Sequence, residues 1–382
     1  MLPIEADPSK EGYSEIMEII RSRALEFLQS DETTELESDR RDDVVNRIEL
    51  LVLPGSGTFP NGRFEGALTD YFYFSYMKLV GCILQILDKK NSKKLRNVEF
   101  HLDLSHGINY MPSLIYRLVR EIAALVATKY DVSFVTYNSE PYIGGDEKVL
   151  TVHIVENSKI EAAVPEVDFQ DDGGLIRIID FLKSARYGLP LLFTNVFPRK
   201  KTIEDLIQGI RAAFEEGIEI AVRNGRWELV RSVSLDERLR ILAMAKVLVH
   251  HFAPLENHND CNGVRWGDLK KFVDTVHLFT DTHKVLIMRE LDVISSKVGE
   301  LLKENGENLI EQWFSYSKAY GKALNDRIDI RNFLAHAGLE KNCLEIFLHQ
   351  WDGKLGRKIC LRYRNLDEVC TWWKVRNNSS SS

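Results

Sequence analysis

Apolar positions recur at helical spacing between residues 14 and 29. Ile16, Ile19, Ile20 and Ala24 are followed one turn later by Phe27 and Leu28, and charged residues take the opposite face. Four short apolar runs follow, at residues 48–53, 98–104, 132–137 and 149–155. Long helical patterns over residues 66–90 and 112–130 separate the first three. Strands spaced by helices of that length predict a mostly parallel sheet covered on both faces.

The second half changes character. Residues 175–182 and 189–197 are apolar runs that fit either a strand or a buried helix, because periodicity does not separate the two at such lengths. From residue 202 the spacing is helical, over 202–223, 234–252, 266–303, 308–323 and 329–338. Ser234 and Glu237 make a capping box for the second of these, and Gly338 is placed to stop the last. The predicted organisation is a Rossmann-like α/β domain over residues 1–165, a connecting region over 166–233 and an all-α domain over 234–382.

The 382 residues carry a formal charge of −7. Nothing in that balance draws the chain to nucleic acid or to an anionic membrane, so any such attraction needs a local patch. Cys82, Cys261, Cys343, Cys360 and Cys370 are odd in number and lack CxxC spacing, which predicts buried or free thiols in a reducing cytoplasm. The N-terminus shows no secretory pattern. Lys78 and Gln85 interrupt the longest apolar stretch, residues 71–87, so no membrane partner is expected. The low-complexity tail, residues 377–382, reads as disordered.

In a parallel α/β sheet, ligands sit beyond the carboxyl ends of the strands. Three segments there are small and polar: Pro54-Gly55-Ser56-Gly57-Thr58, Leu104-Ser105-His106-Gly107-Ile108-Asn109 and Asn138-Ser139-Glu140-Pro141-Tyr142. Gly55, Gly57 and Gly107 let backbone amides approach a ligand. Ser56, Ser105, Asn109, Asn138 and Ser139 offer hydrogen bonds. Helical patterns follow the first two segments, and helix N-termini favour phosphate. The same residues also suit ordinary βα turns. His106 is either a contact to a base or a satisfied turn histidine. No segment matches GxGxxG or GxxxxGK[ST], which disfavours a dinucleotide oxidoreductase or a P-loop ATPase.

Near the end of the chain stands Arg331-Asn332-Phe333-Leu334-Ala335-His336. With 26 Arg and 10 His, R-x4-H arises by chance about 0.7 times. A second copy, Arg96 to His101, enters a strand run, where alternation puts the two on opposite faces. In the helical copy, five residues advance about 7.5 Å and turn about 140°. One helix alone makes a loose site; a two-fold mate bringing a second pair makes a tighter one. Cleaving RNA without metal takes a base for the 2′-OH, an acid for the 5′-oxygen and a cation for the phosphorane. Histidine can serve as acid or base and arginine as the cation, with Asn332 orienting either.

The run LDLSHGINYMP at residues 102–112, with VLPGSGTFPNG at 52–62 before it and YNSEPY at 137–142 after it, resembles the CARF sensor domain of CRISPR-associated proteins. RNFLAH at 331–336 resembles the R-x4-H motif of HEPN ribonuclease domains. Their order is similar to that of the Csx/Csm accessory ribonucleases of type III CRISPR systems. The resemblance covers most of residues 48–142 and a short stretch around 331–338.

It implies a cytoplasmic antiviral endoribonuclease with a CARF-like domain, then a HEPN-like one. Such an enzyme cleaves single-stranded RNA without metal once cyclic oligoadenylate, cyclic tetra-adenylate being favoured, binds the sensor. It implies Arg331 and His336 as the catalytic pair, with Asn332 in support. Gly55, Ser56, Gly57, Ser105, His106, Gly107, Asn109, Asn138 and Ser139 would hold the ligand. A two-fold ligand implies a homodimer, with assembly of dimers open. Such sensor domains open with a strand, and no strand pattern precedes Ser14, so the first strand is expected to be missing. A ligand-responsive regulator that binds nucleic acid without cutting it stays open as the alternative.

Other clusters read more plainly. His250, His251, His258, Asp260 and Cys261 fit no zinc spacing, so no metal and no cofactor are expected. Tyr71-Phe72-Tyr73-Phe74 reads as core or dimer surface and Trp372-Trp373 as packing. Arg357, Lys358, Arg362, Arg364, Lys374 and Arg376 form a basic stretch, either a solvated face or an RNA guide.

Overall fold

The computed structural model describes residues 13–30, 45–60, 62–89, 95–107, 110–140, 151–169, 173–223, 225–252, 262–305, 309–321, 329–349 and 359–375. In chain order its elements begin with α1 (Tyr13–Gln29), β1 (Gly57–Phe59), β2 (Gly62–Glu65), α2 (Leu68–Lys89), β3 (Asn97–Asp103), α3 (Met111–Val126), β4 (Asp131–Ser139) and β5 (Val152–Ile160). Next come α4 (Ile176–Arg186), α5 (Pro190–Asn195), α6 (Lys200–Glu216), β6 (Ile218–Arg223), β7 (Arg226–Arg231) and α7 (Glu237–Phe252). The chain ends with β8 (Val264–Arg265), α8 (Trp266–Thr275), α9 (Asp281–Asn305), β9 (Trp313–Ser315), a 3-10 helix (Tyr316–Tyr320), α10 (Ile330–Ala335), β10 (Leu344–Leu348), β11 (Ile359–Tyr363) and α11 (Leu366–Val375).

Two compact units are each assembled from separated stretches. The first takes Met1–Gln85, Ile108–Leu118 and Asp205–Arg240; the second takes Ile86–Gly107, Val119–Glu204 and Ile241–Ser382. In the first unit a four-stranded sheet runs β1-β2-β7-β6, with β2 and β7 parallel and the other pairs antiparallel. The β2–β7 approach is close: a side chain at Gly62 would meet the Trp227 carbonyl at 2.6 Å. Phe74 packs on Phe214 at 5.9 Å between ring centres, and Tyr71 and Phe72 are buried as well, so the aromatic run serves as core.

In the second unit β3 and β4 are parallel over seven residues, and β5 closes on β4 antiparallel with a bulge at Thr136/Tyr137. The alternation along β3 leaves Asn97, Glu99, His101 and Asp103 exposed, the pattern of a sheet with one face on the core. Helices α4, α5, α7 and α8 share an aromatic core. Phe193 stacks on Phe181 and Phe272, with centroids 4.6 and 5.6 Å away, and meets Phe252 edge-on at 5.7 Å. Burying each such ring stabilises the unit by roughly 1.5–3 kcal/mol.

Several expectations change. Residues 48–53 form no strand. The two ambiguous apolar runs are helices, α4 and α5, the second with Pro190 in its first turn. The helical reading of residues 202–223 holds only to Glu216, after which β6 and β7 form a hairpin. Its signal is Asn224-Gly225 between two alternating runs, and Gly225 takes φ 72°. Helix α7 starts at Glu237 without the Ser234 capping box; the Asp236 carboxylate accepts the Arg238 N–H instead, at 3.0 Å.

The C-terminal half keeps its helical character but also carries an antiparallel sheet, β8-β11-β10-β9, that the helical spacing hid. Cys82, Cys343 and Cys370 are free, the last two buried, whereas Cys360 is disulfide-bonded, which corrects the expectation that all five are buried or free thiols. Among the described residues no helix is long and apolar enough to cross a membrane.

Candidate active site and sensor loops

Helix α10 is short because its sequence caps both ends. The Asp329 carboxylate accepts the N–H groups of Arg331 at 2.9 Å and Asn332 at 3.2 Å. Beyond Ala335 the chain turns back through Ala337 and Gly338, at φ 50° and 79°. The Gly338 N–H donates to the Phe333 carbonyl at 2.8 Å, and the Tyr363 hydroxyl donates to the Gly338 carbonyl at 3.0 Å. A Cβ at Gly338 would stand 2.9 Å from that hydroxyl, so glycine suits both the backbone and the space. With Phe333 fully buried as the anchor, Arg331, Asn332 and His336 are left exposed.

His336 is the C-cap residue, just outside the last helical turn. Its side chain is 47% exposed, and its Nδ1–H donates to Glu290 Oε2 on α9 at 3.0 Å. A carboxylate only accepts, so the Nδ1 proton is fixed and Nε2 remains to give or take a proton. The Arg331 guanidinium has no hydrogen-bond or ion-pair partner among the described residues. An oriented imidazole and an unengaged cation on one surface segment suit proton transfer beside a phosphodiester.

Behind Glu290 lies Tyr316, a buried phenol whose oxygen is 3.1 Å from the Tyr320 hydroxyl. Burial pushes the Tyr316 phenol up, and its hydrogen bond to Tyr320 and the Glu290 charge add to that. Glu290 escapes a local sequence reading because it meets His336 only through the tertiary fold.

Of the sensor candidates, Ser105 follows β3, and Asn138 and Ser139 are the last residues of β4 rather than a loop after it. Ser105 Oγ accepts the Ser139 N–H at 2.8 Å, tying the carboxyl ends of the two parallel strands. The Asp103 carboxylate accepts the Ser105 N–H at 2.9 Å, and hydrogen bonds from Ser105 hold that carboxyl below its ordinary value. His106 and Gly107 are exposed. Asn109, Pro141 and Tyr142 lie outside the described residues.

In the first unit, the Gly55–Gly57 segment leads into the β1–β2 hairpin and not directly into a helix, which corrects the expected helix N-terminus there. Arg231, its side chain only 1% exposed, holds this segment. It donates from Nε to Asp70 Oδ2 at 2.9 Å, from Nη1 to the Gly55 carbonyl at 2.9 Å and from Nη2 to Ser56 Oγ at 2.6 Å. Ser56 Oγ also donates to the Gly66 carbonyl at 3.0 Å, so this hydroxyl is engaged within the fold.

The remaining candidates separate. His101 sits on β3 with Nδ1 2.8 Å from the Tyr137 hydroxyl. His250 meets Asp88 at 2.8 Å, while His258, Asp260 and Cys261 lie outside the described residues. Arg362 lies 3.9 Å from the Trp313 ring centre and 2.8 Å from Glu345, so it is a packed ion pair. Arg357, Lys358 and Arg376 are likewise outside the described residues, as are the side chains of Trp372, Trp373 and Lys374.

Residues 2–141 match the family model described as the CARF domain of the CRISPR system endoribonuclease Csx1. Residues 280–365 match the HEPN domain of the same protein. The CRISPR system endoribonuclease Csx1 of Methanocaldococcus jannaschii is 28% identical over 419 residues, covering 93% of this chain and 85% of that protein. An N-terminal α/β sensor domain with a mixed sheet thus precedes a helical domain that bears the Arg331–His336 segment. With both domains matched in this order, the chain belongs to the Csx1-type CARF–HEPN endoribonucleases of CRISPR systems.

Proposed function

We propose that this protein is an antiviral endoribonuclease that cuts single-stranded RNA through Arg331, Asn332 and His336 without a metal. Cyclic oligoadenylate switches it on, cyclic tetra-adenylate in preference, and it acts in the cytoplasm as a homodimer. Residues 1–165 are the sensor and 234–382 the nuclease. The observation that carries this reading is His336: exposed, oriented by Glu290 through Nδ1, and at the end of the short helix whose first turn carries Arg331, a guanidinium without a partner among the described residues.

In the reaction one imidazole takes the 2′-OH proton, and the oxygen attacks the adjacent phosphorus. A second imidazole protonates the departing 5′-oxygen, leaving a 2′,3′-cyclic phosphate. Arginine offsets the charge that builds on the phosphorane. On the sensor, Ser105, His106, Gly107, Asn109, Asn138 and Ser139 take the messenger. The Ser105–Ser139 hydrogen bond at the carboxyl ends of β3 and β4 supports the placing of ligand there. A messenger that binds one arrangement of the dimer more tightly shifts the population towards it.

The test is cleavage of labelled single-stranded RNA in EDTA, with and without a panel of cyclic oligoadenylates. Cleavage is expected only with the messenger. His336→Ala should lower the rate by roughly 100- to 10,000-fold while retaining messenger binding. Undiminished cleavage by that variant would remove the assigned site.

A further inference from the structure

We propose that Tyr320, flanked by Lys297 and Lys341, forms a subsite for the nucleotide next to the cleaved phosphodiester of a single-stranded RNA. This rests on the ribonuclease reading of His336. The Lys341 and Lys297 ammonium groups lie 5.2 and 5.8 Å from the centre of the Tyr320 ring. They come from different elements, Lys297 from α9 and Lys341 from the segment after α10, so the convergence is made by the fold.

The ring is half-buried and is held through its hydroxyl, 3.1 Å from the buried Tyr316 hydroxyl. Lys297 shares its charge with Glu300 at 2.6 Å, whereas Lys341 forms no ion pair among the described residues. A fixed aromatic ring with an uncompensated cation over it suits a base and its phosphate, the flexible lysine swinging from the ring to the phosphate as the base stacks, and the π face tolerates any base.

The position follows from α9. Lys297 is seven residues, two turns, beyond Glu290 on the same face, a rise of about 10 Å. Glu290 holds His336, and Lys341 is five residues past His336. A strand with its scissile phosphate at the imidazole therefore has the cluster within reach of the adjoining nucleotide. Nothing in the local sequence marks the cluster, because its members are spread from residue 297 to 341.

The test uses the full chain carrying His336→Ala, which is expected to bind RNA without cutting it. Affinity for a single-stranded oligoribonucleotide is measured over a salt series, with and without cyclic tetra-adenylate. Adding Tyr320→Leu should weaken binding roughly 5- to 100-fold, while Tyr320→Phe, which keeps the ring, should retain most of it. Adding Lys341→Gln should weaken binding and flatten the log–log salt slope by about 0.7. That slope reads a phosphate contact and does not respond to loss of packing alone.

Parent-like affinity and slope in Lys341→Gln, with parent-like affinity in Tyr320→Leu, would overturn the subsite while the parent chain with His336 intact still cuts RNA. Failure of that parent chain to cut RNA under any cyclic oligoadenylate would overturn the ribonuclease reading and the subsite with it.

Discussion

Glu290 acts on His336 by geometry as well as by charge. Its carboxylate accepts a hydrogen bond from Nδ1–H at 3.0 Å and so decides which nitrogen faces outward. Glutamine at this position keeps an oxygen that can accept the same hydrogen bond, and alanine does not. Glu290→Ala is therefore expected to lower single-turnover cleavage at saturating RNA by roughly 10- to 1,000-fold, and Glu290→Gln by clearly less. Nitrogen NMR of His336 adds a reading that folding alone does not explain: Glu290→Ala should shift population away from the Nδ1–H tautomer. Full activity in the alanine variant would show that the contact does not orient the imidazole. The sequence makes Arg331, Asn332 and His336 visible, because a cap, a six-residue span and a glycine stop are local signals. It hides Glu290, which lies 46 residues earlier and reaches His336 only once α9 has packed.

At the scale of elements, the turn after α3 is joined to α7 by a buried hydrogen bond beside the edge-on contact of the Tyr130 and His251 rings at 5.5 Å. Thr128 Oγ1 gives its proton to the Leu125 carbonyl at 2.7 Å, so it accepts from His251 Nδ1 at 3.0 Å. His251 Nε2 is left buried without a hydrogen-bond partner. Burial holds the His251 imidazole well below its ordinary value, and Lys129 and His250 push the same way. The sign then follows: above about pH 6.5 the group is neutral in folded and unfolded chains alike and contributes no pH dependence. Below that, the unfolded chain takes up a proton that the folded chain refuses, so stability falls as pH falls, by up to about 1.4 kcal/mol per pH unit. Urea midpoints should drop between pH 7 and pH 5, and His251→Gln should flatten that fall; an identical pH profile would assign the titration elsewhere. The neighbouring elements differ in how plainly they can be read. β3, α3 and β4 stand out as an apolar run, a long amphipathic helix and a second apolar run. The β6–β7 hairpin is hard to see because only Gly217 parts its alternation from a true helix, and residues 48–53 are apolar enough for a strand yet form none.

For the whole molecule, a formal charge of −7 opposes RNA, so the proposed function needs local clusters to gather the substrate, such as Arg331 with its symmetry mate in the proposed dimer. Under the proposed assignment a single chain falls short of a complete catalytic set: α10 keeps Arg331 in its first turn and His336 past its end, and no hydrogen bond joins the two side chains among the described residues. General acid and general base also call for two imidazoles, and the R-x4-H segment supplies one per chain. The proposed dimer resolves both shortages if each cleft uses groups from the two protomers. Arg331→Ala homodimers then lack every guanidinium of the site, and His336→Ala homodimers lack every imidazole. Co-expressed with two different tags and purified through both, the mixed dimer retains one arginine on one protomer and one histidine on its partner. A shared cleft predicts that this mixed dimer cleaves RNA measurably faster than either parent, though below the wild-type rate because one imidazole is missing. If each chain works alone, the mixed dimer will be as slow as its parents, since neither of its chains carries the full pair.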